Sequence, residues 1–387
     1  MRKEELDYVL HTMLDSREKI SDLNFTVGKM PQVESNGQLL PVTFDPPIGI
    51  LTPYQTEQIA LALINRDKRL TDLLIKEGSC DLSYSLKDKA RFRVNIFSQK
   101  GVYSIVLRKL ENEIRSINDL GLPGVLYNIA SEKNGFVLLC GATGTGKTTT
   151  LSAILNEINE KQSVHVVTLE DPVEFVHSQK RATFNQRELG VDFASFSTGL
   201  RAALRQAVKV ILVGEMRDRE TMEIGLTAAE TGHLVLSTLH TIDAGQTISR
   251  IVGMFEKEEQ HNIRIRLADS IRWLVCQRLI PKVGGGRIPI LEIMQSNLRI
   301  KNLILNGETE DKTIYNIIET GEAFGMQTFD KHLVSLFDQE IITEEVAVAY
   351  ASKRPVVKRG IDTVKSTKGI KTTEIKGLSM NKSYRPL

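Results

Sequence analysis

Two patterns of hydrophobic and polar residues divide the chain. In residues 1–110, short runs with alternating positions predict strands, and one stretch with helical spacing predicts a helix. The predicted strands are residues 21–27, 81–86 and 89–98, and the predicted helix is residues 53–65. We therefore expect residues 1–110 to form one α/β domain.

The run at residues 89–98 alternates most clearly. Phe92 and Val94 fall on one face and Arg91 and Arg93 on the other, because successive side chains of a strand point in opposite directions. Any half-buried strand can carry a charged face, so the alternation alone assigns these arginines no role.

From residue 124 onward, hydrophobic runs of strand length alternate with amphipathic helical stretches. The predicted strands are residues 135–140, 165–169, 208–213, 234–238 and 288–294. The first four lack alternation, as is typical of strands covered by helices on both faces. Residues 124–351 are therefore expected to form a domain with a mainly parallel sheet, preceded by an interdomain linker at 111–123.

Composition changes this picture only at the C-terminus. The contents of 41% hydrophobic and 25% charged residues are ordinary for a folded protein, and the net charge of +2 favours no class of partner. Residues 352–387 carry ten basic and two acidic residues, which predicts a basic flexible tail. A solvated tail is the simpler interpretation, and attraction to a membrane surface or an acidic partner is the alternative.

Several classes of protein are disfavoured. No hydrophobic run approaches the roughly twenty residues of a transmembrane segment, and the charged N-terminus does not resemble a signal peptide. Three scattered cysteines argue against a disulfide framework and a zinc site. With 6% aromatic residues and no basic stripe outside the tail, nucleic-acid binding is not expected. We expect a cytoplasmic protein.

The strongest motif is the phosphate-binding loop at residues 141–148, which matches G-x-x-x-x-G-K-[ST] between a predicted strand and a predicted helix. Its glycines allow backbone N–H groups to face phosphate oxygens, and the helix N-terminus adds positive potential. Lys147 is expected to reach the β- and γ-phosphates of ATP, and Thr148 to ligate Mg²⁺. The expected nucleotide-binding residues are Gly141, Ala142, Thr143, Gly144, Thr145, Gly146, Lys147, Thr148 and Thr149.

Hydrolysis also needs carboxylates that hold magnesium and orient the attacking water. The third predicted parallel strand is followed by Gly214 and Glu215, with glycine where an aspartate is usual. Glu170, Asp171 and Glu174 follow the preceding strand, and parallel strand ends converge on one ligand crevice. We expect this acidic cluster to supply the missing charge; an ordinary solvated Asp-Pro turn is the alternative.

Two histidines bracket the predicted strand at residues 234–238. His233 precedes it and His240 follows it, with Ser237 and Thr238 between them. Together they suggest a sensor of the γ-phosphate, although each histidine alone would be an ordinary structural residue. No nearby cysteine or third histidine would complete a metal site.

These motifs resemble those of the type IV pilus retraction ATPases, the PilT/PilU family of the secretion ATPase superfamily. The matching boxes are the phosphate-binding loop and residues 168–177, 211–218 and 231–241. Further similar segments are residues 21–30, 91–95, 185–188, 200–205 and 325–330. The resemblance covers about residues 5–350 and leaves the basic tail unexplained.

The resemblance implies a PAS-like N-terminal α/β domain followed by a RecA-like P-loop NTPase domain. It implies a homohexamer that binds ATP and Mg²⁺ between neighbouring domains and hydrolyses ATP to power pilus retraction and twitching motility. The implied partners are an inner-membrane platform protein and a paralogous pilus ATPase. The implied location is the cytoplasmic face of the inner membrane.

The resemblance also implies roles for the site residues. Glu215 would polarise the attacking water, the acidic cluster would help to hold magnesium and water, and the two histidines would sense the γ-phosphate. The implied Mg²⁺ ligands are Thr148, Glu170 and Glu215. The arginines implied to reach the phosphates are Arg91, Arg93 and Arg108 in the N-terminal domain and Arg201 and Arg205 in the core domain.

Two alternatives stay open. Residues 207–209 and 298–304 depart from the usual family segments, so an accessory paralogue that binds ATP with little turnover is one. A related secretion or nucleic-acid translocase ATPase is the other. Pilus extension ATPases commonly carry a four-cysteine zinc module, and its absence here favours retraction over extension.

Overall fold

The computed structural model describes residues 1–87, 89–110 and 113–370. Their contacts divide them into two units. Unit 1 contains residues 1–114, 170–178 and 186–192, and unit 2 contains the remainder. Within the described ranges, no helix combines the length and the apolar character needed to cross a bilayer.

Unit 1 is built on a six-stranded antiparallel sheet. Its strands are β1 (Ile20–Phe25), β2 (Gln32–Ser35), β3 (Gln38–Pro41), β4 (Ser79–Leu86), β5 (Ala90–Gln99) and β6 (Val102–Leu110), and its helices are α1 (Lys3–Asp15), α2 (Pro53–Ile64) and α3 (Lys68–Glu77). The strand order is β3-β2-β1-β6-β5-β4. The α/β character predicted for this part of the chain is confirmed.

Local sequence explains two of these elements. Phe92 and Val94 on β5 are fully buried while Arg93 is exposed, which confirms the predicted alternation. Helix α2 begins where predicted, because the Thr52 hydroxyl accepts the N–H of Gln55 and Pro53 occupies the first turn.

Most of the second sheet lies in unit 2. Its strands are β7 (Gly135–Cys140), β8 (His165–Glu170), β9 (Thr183–Glu188), β10 (Val210–Val213), β11 (Leu234–Leu239), β12 (Ile271–Pro281) and β13 (Arg287–Gln295). The last residues of β8 and β9 are assigned to unit 1.

The helices of unit 2 follow these strands or form the C-terminal part of the described chain. They are α4 (Leu126–Ala130), α5 (Lys147–Lys161), α6 (Phe196–Ala203), α7 (Arg219–Glu230), α8 (Ala244–Val252), α9 (Gln260–Ser270), α10 (Leu298–Asn306), α11 (Ile314–Glu319), α12 (Phe329–Asp338), α13 (Glu344–Ala349) and α14 (Arg354–Thr367).

The strand order of the second sheet is β13-β12-β7-β11-β10-β8-β9. Strands β12, β7, β11, β10 and β8 pair in parallel, and β13 is antiparallel to β12. The mainly parallel sheet is therefore confirmed. The sequence did not predict β9 or β12, since both interrupt their hydrophobic positions with polar residues.

The parallel register determines where the loops emerge. Cys140, the last residue of β7, pairs with Leu239 of β11, and Val213, the last residue of β10, pairs with Ser237. The residues that follow β7, β10 and β11 therefore leave the sheet at the same edge. Strands β7, β10 and β11 are buried at every position, so this edge rests on a rigid core.

Two expectations about chain organisation are corrected. The predicted linker at 111–123 includes Ile117 and Leu122, which are buried in the core of unit 2. The predicted flexible tail begins with helix α14, whose Val357 and Ile361 are buried, and α14 contacts α12. These side chains are four residues apart and so form an apolar helical stripe, which the basic average composition conceals. Residues 371–387 of the predicted tail lie outside the described residues.

Candidate nucleotide-binding site

The phosphate-binding loop joins β7 to α5 and needs glycine at two kinds of position. Gly144 and Gly146 have φ angles of 78° and 85°, which glycine adopts at little cost. At Gly141 a Cβ atom would lie 2.4 Å from the carbonyl oxygen of Gln277, so the close approach of β12 excludes any larger residue. The motif is thus explained by backbone conformation at one end and by packing at the other.

The side chain of Lys147 folds back over the loop. Its Nζ donates to the carbonyl oxygens of Gly141 at 2.8 Å and Ala142 at 2.9 Å, and the residue is only 8% exposed. Thr148 and Thr149 follow in the first turn of α5 and are half-buried. The loop therefore holds a cation and a helix N-terminus within a few residues of each other, which is the combination that binds phosphate.

Glu215 lies two residues beyond β10, at the same edge of the sheet. Its side chain is 16% exposed, and its carboxylate lies 2.6 Å from Nε of Arg217 and 3.7 Å from Nε2 of His240. The structure thus brings together the residue implied to polarise the attacking water and one of the two predicted sensors.

Ser237 and Thr238 anchor the segment that carries Glu215. The Ser237 hydroxyl donates to the carbonyl of Val213 at 2.7 Å, and the Thr238 hydroxyl donates to that of Gly214 at 2.7 Å. These bonds tie the end of β10 to β11. Both hydroxyls serve the backbone here, which is a positioning role that the sequence pattern did not suggest.

His240 is electrostatically linked to the loop. Burial lowers the pKa of His240 below its ordinary value, the charge of Lys147 lowers it further, and Glu215 opposes the shift. The imidazole is therefore neutral near pH 7 and can donate one N–H. Because β7, β10 and β11 end in register, Lys147, Glu215 and His240 follow strand ends at the same edge of the sheet.

His233 does not belong to this site, so its predicted sensor role is corrected. It precedes β11, whereas His240 follows it, and the six residues between span about 20 Å at the usual strand rise. Its Nδ1 lies 3.0 Å from the carbonyl oxygen of Ala228. His233 is therefore a structural residue at the opposite edge of the sheet.

The acidic cluster at the end of β8 consists of Glu170, Asp171 and Glu174, and all three residues belong to unit 1. Glu170 is buried, and its carboxylate accepts the side-chain amide of Gln186 at 3.2 Å. Asp171 is exposed and Glu174 is half-buried. The three side chains offer carboxylate oxygens, and their role toward magnesium stays a proposal.

The arginines of unit 1 lie on neighbouring strands. Arg93 of β5 pairs in register with Arg108 of β6, and Nε of Arg108 donates to Asp22 at 2.9 Å. Arg91 is half-buried, and its Nη1 has no hydrogen-bond partner among the described residues. Such an orphaned donor is costly unless a further acceptor reaches it.

The arginines of unit 2 are held at the surface near α6. Arg201 donates to Glu220 of α7 at 2.8 Å, and this bond lowers the pKa of Glu220. Arg205 donates to the carbonyl oxygen of Arg201 at 2.9 Å. Arg201 therefore links α6 to α7, whereas Arg205 bonds to the backbone of α6.

Known proteins resemble this chain over most of its length. It is 39% identical over 334 residues to the type IV pilus retraction ATPase PilT of Pseudomonas aeruginosa, covering 86% of this chain and 94% of PilT. It is 36% identical over 332 residues to the type IV pilus ATPase PilU of the same species, covering 86% of this chain and 85% of PilU. A crystal structure of the pilus retraction motor PilT with bound ADP has a TM-score of 0.80 at 37% identity, covering 92% of this chain and 98% of that one.

A phosphate-binding loop, a glutamate and a neutral histidine at one edge of a parallel sheet define a P-loop ATPase. Residues 74–286 match the family described as type II/IV secretion system protein. The chain belongs to this family, within its group of PilT- and PilU-type pilus ATPases, and it is an ATP hydrolase.

Proposed function

We propose that this ATPase is the motor that powers type IV pilus retraction, by coupling ATP hydrolysis to depolymerisation of the fibre. The observation that carries the proposal is the joint placement of Lys147, Glu215 and His240 on a chain that matches nearly all of PilT. The similarity to PilT supports the role in retraction, and the arrangement of the site residues supports ATP hydrolysis.

The residues present fit a magnesium ion bound together with ATP. Mg²⁺ prefers hard oxygen ligands and is usually held by one or two protein groups plus phosphates. Thr148 and Glu215, both in unit 2, offer a hydroxyl and a carboxylate oxygen. When bound, the ion would neutralise charge on the β- and γ-phosphates. Among the described residues no cluster of three metal-binding side chains occurs, which agrees with an ion that the nucleotide helps to hold.

Each remaining residue has a defined task in this proposal. Lys147 moves its ammonium group from the loop carbonyls to the phosphate oxygens, which attract it more strongly. Glu215 accepts a hydrogen bond from the attacking water, and His240 donates its N–H to the γ-phosphate. The loss of that contact after hydrolysis would report the change of nucleotide to β11.

The finer architecture is also proposed. Unit 1, whose sheet has the strand order β3-β2-β1-β6-β5-β4, is a PAS-like domain, and unit 2 is RecA-like. The active form is a cytoplasmic homohexamer that acts on an inner-membrane platform protein, alone or with a paralogous pilus ATPase. The arginines proposed to reach the phosphates are among Arg91, Arg93, Arg108, Arg201 and Arg205. The orphaned Nη1 of Arg91 leaves this guanidinium able to donate to a further acceptor.

A second candidate is an accessory ATPase that joins the retraction motor with little turnover of its own. The chain is 36% identical to PilU and 39% identical to PilT, so sequence identity does not separate the two candidates. The Glu215–Arg217 ion pair fits the accessory role, since it engages the carboxylate that hydrolysis needs.

The test is the magnesium-dependent ATP hydrolysis rate of the purified protein. We expect Lys147→Ala and Glu215→Gln each to lower this rate at least tenfold, and Glu215→Gln to bind ATP as the wild type does. The matched control is Glu256→Gln, at an exposed glutamate of unit 2, which should leave the rate unchanged.

The same variants separate the two candidates in cells that lack their own retraction ATPase. Restored retraction by the wild type, and not by Lys147→Ala, supports the motor. A wild type that binds ATP but hydrolyses it no faster than Glu215→Gln would contradict the motor and support the accessory role.

A further inference from the structure

Gln277 of β12 lies directly behind the phosphate-binding loop. It is 2% exposed, and its side-chain amide makes two short hydrogen bonds. Its Nε2 donates to the carbonyl oxygen of Thr145 at 2.7 Å, and its Oε1 accepts the hydroxyl of Thr150 at 2.8 Å. No sequence motif indicates this residue, because β12 joins β7 only in the folded sheet.

The chemistry of the partners determines the orientation of the amide. A backbone carbonyl can only accept, so the NH₂ group must face Thr145. The carbonyl end is then left for the Thr150 hydroxyl. An amide is therefore required at this position, since a carboxylate has no proton for Thr145 and an alkyl group has neither function.

The two partners of Gln277 lie on either side of the residues that are expected to contact the phosphates. Thr145 precedes Lys147 and Thr148, and Thr150 lies in the first turn of α5 behind them. The bridge thus joins the loop to the helix that follows it. Nε2 also lies 3.0 Å from where a Cβ of Gly146 would stand, so the amide packs against the turn itself.

The next residue faces the other side of β12. Arg278 donates to the carbonyl oxygen of Tyr350 at 3.1 Å, and its guanidinium stacks 3.9 Å from the ring centre of Phe329. Gln277 and Arg278 are neighbours on β12, and they contact the phosphate-binding loop and the C-terminal helices, respectively.

We propose that Gln277 is a positioning residue for ATP hydrolysis, which holds the phosphate-binding loop and the first turn of α5 in the geometry that Lys147 and Thr148 require. It acts through Thr145 and Thr150 and does not touch the nucleotide. The inference rests on ATP binding at the loop and is independent of pilus retraction.

The experiment measures Kd for ADP and KM and kcat for ATP on the full chain. We expect Gln277→Leu to raise Kd and KM about tenfold and to lower kcat at least threefold. Thr150→Val should weaken ADP binding about threefold, and Thr150→Ser should restore it, because serine keeps the hydroxyl. The matched control is Gln295→Leu, at a half-buried glutamine of β13, which should change neither constant.

A double variant tests whether the two residues form one bridge. Gln277→Leu with Thr150→Val should be no weaker than Gln277→Leu alone, since the bridge is already lost. Full additivity of the two effects would overturn the proposal.

Three further outcomes are decisive. An unchanged Kd, KM and kcat in folded Gln277→Leu, or a lowered Tm as its sole effect, would overturn the positioning role. If Gln277→Leu does not fold, the Thr150 pair decides, because equal ADP binding by the valine and serine variants refutes the bridge. A wild type that binds no ADP would instead overturn the proposed function.

Discussion

The carboxylate of Glu215 forms a 2.6 Å ion pair with Arg217. Arg217 is 73% exposed and Glu215 is 16% exposed, so water reaches the pair from the arginine side and weakens it despite its short distance. His240 approaches the same carboxylate at 3.7 Å. The Glu215 carboxylate, which is proposed to orient the attacking water, is therefore paired with an exposed arginine that can dissociate from it. Substitution of Arg217 tests whether this dissociation limits hydrolysis.

We predict that Arg217→Gln increases ATP hydrolysis. An exposed ion pair is worth about 0.2–1 kcal/mol, so its loss should raise kcat by a factor of roughly 1.4 to 5. The measurement is steady-state hydrolysis with saturating ATP, and ADP affinity serves as the control. A fall in kcat would show instead that Arg217 assists the reaction.

We predict that Thr238→Val lowers kcat about tenfold with little change in ADP affinity. The substitution keeps the shape of the side chain and removes the hydroxyl that holds the carbonyl of Gly214, next to Glu215. Thr238→Ser retains that hydroxyl and is the matched control, with kcat near the wild-type value. Equal kcat for the valine and serine variants would contradict an orienting role of this bond.

We predict that Glu292→Gln stabilises the protein at alkaline pH. Burial raises the pKa of Glu292 on β13 from 4.5 to about 7, and nearby Asp243 adds to the shift. Because the folded-state pKa is raised, the stabilising contribution of the protonated carboxyl is complete below pH 4.5 and is lost as pH rises through 7. The loss amounts to roughly 3 kcal/mol at pH 8.

The glutamine side chain can still accept the N–H of Ala244, which donates to Glu292 at 2.9 Å. Urea unfolding at pH 8 should therefore favour the variant by about 2–3 kcal/mol, with almost no difference at pH 4.5. Glu256→Gln, at an exposed site, should show no such dependence on pH. The same gain at both pH values would exclude ionisation as the cause.

We predict that Ile361→Ala on α14 lowers the free energy of unfolding by about 2–4 kcal/mol. Ile361 is buried, so its truncation leaves a cavity in the packing of α14. Asp362→Ala changes an exposed neighbour and should cost less than about 0.5 kcal/mol. Thermal or urea unfolding measures the stabilities of the two variants. Equal stabilities of Ile361→Ala and Asp362→Ala would show that the packing of α14 adds nothing to the fold.

Local chemistry explains why much of the fold was predictable. Strand β7 follows from a buried hydrophobic run, and the loop after it follows from glycines that adopt the positive φ angles of its backbone. The start of α2 follows from the Thr52 cap and Pro53. By contrast, Gln277 and the whole of β12 owe their place to pairing with a strand more than a hundred residues earlier.

The sequence by itself predicted a nucleotide-binding loop at residues 141–148, and it placed Glu215 and His240 after strands of one mainly parallel sheet. These features depend on short segments whose conformation their own residues dictate. Only the tertiary structure decided that His233 lies at the far edge of β11, that Thr238 serves the Gly214 carbonyl, and that α14 is packed. The physical reason is that burial, register and strand order depend on contacts between distant residues, which local patterns do not encode.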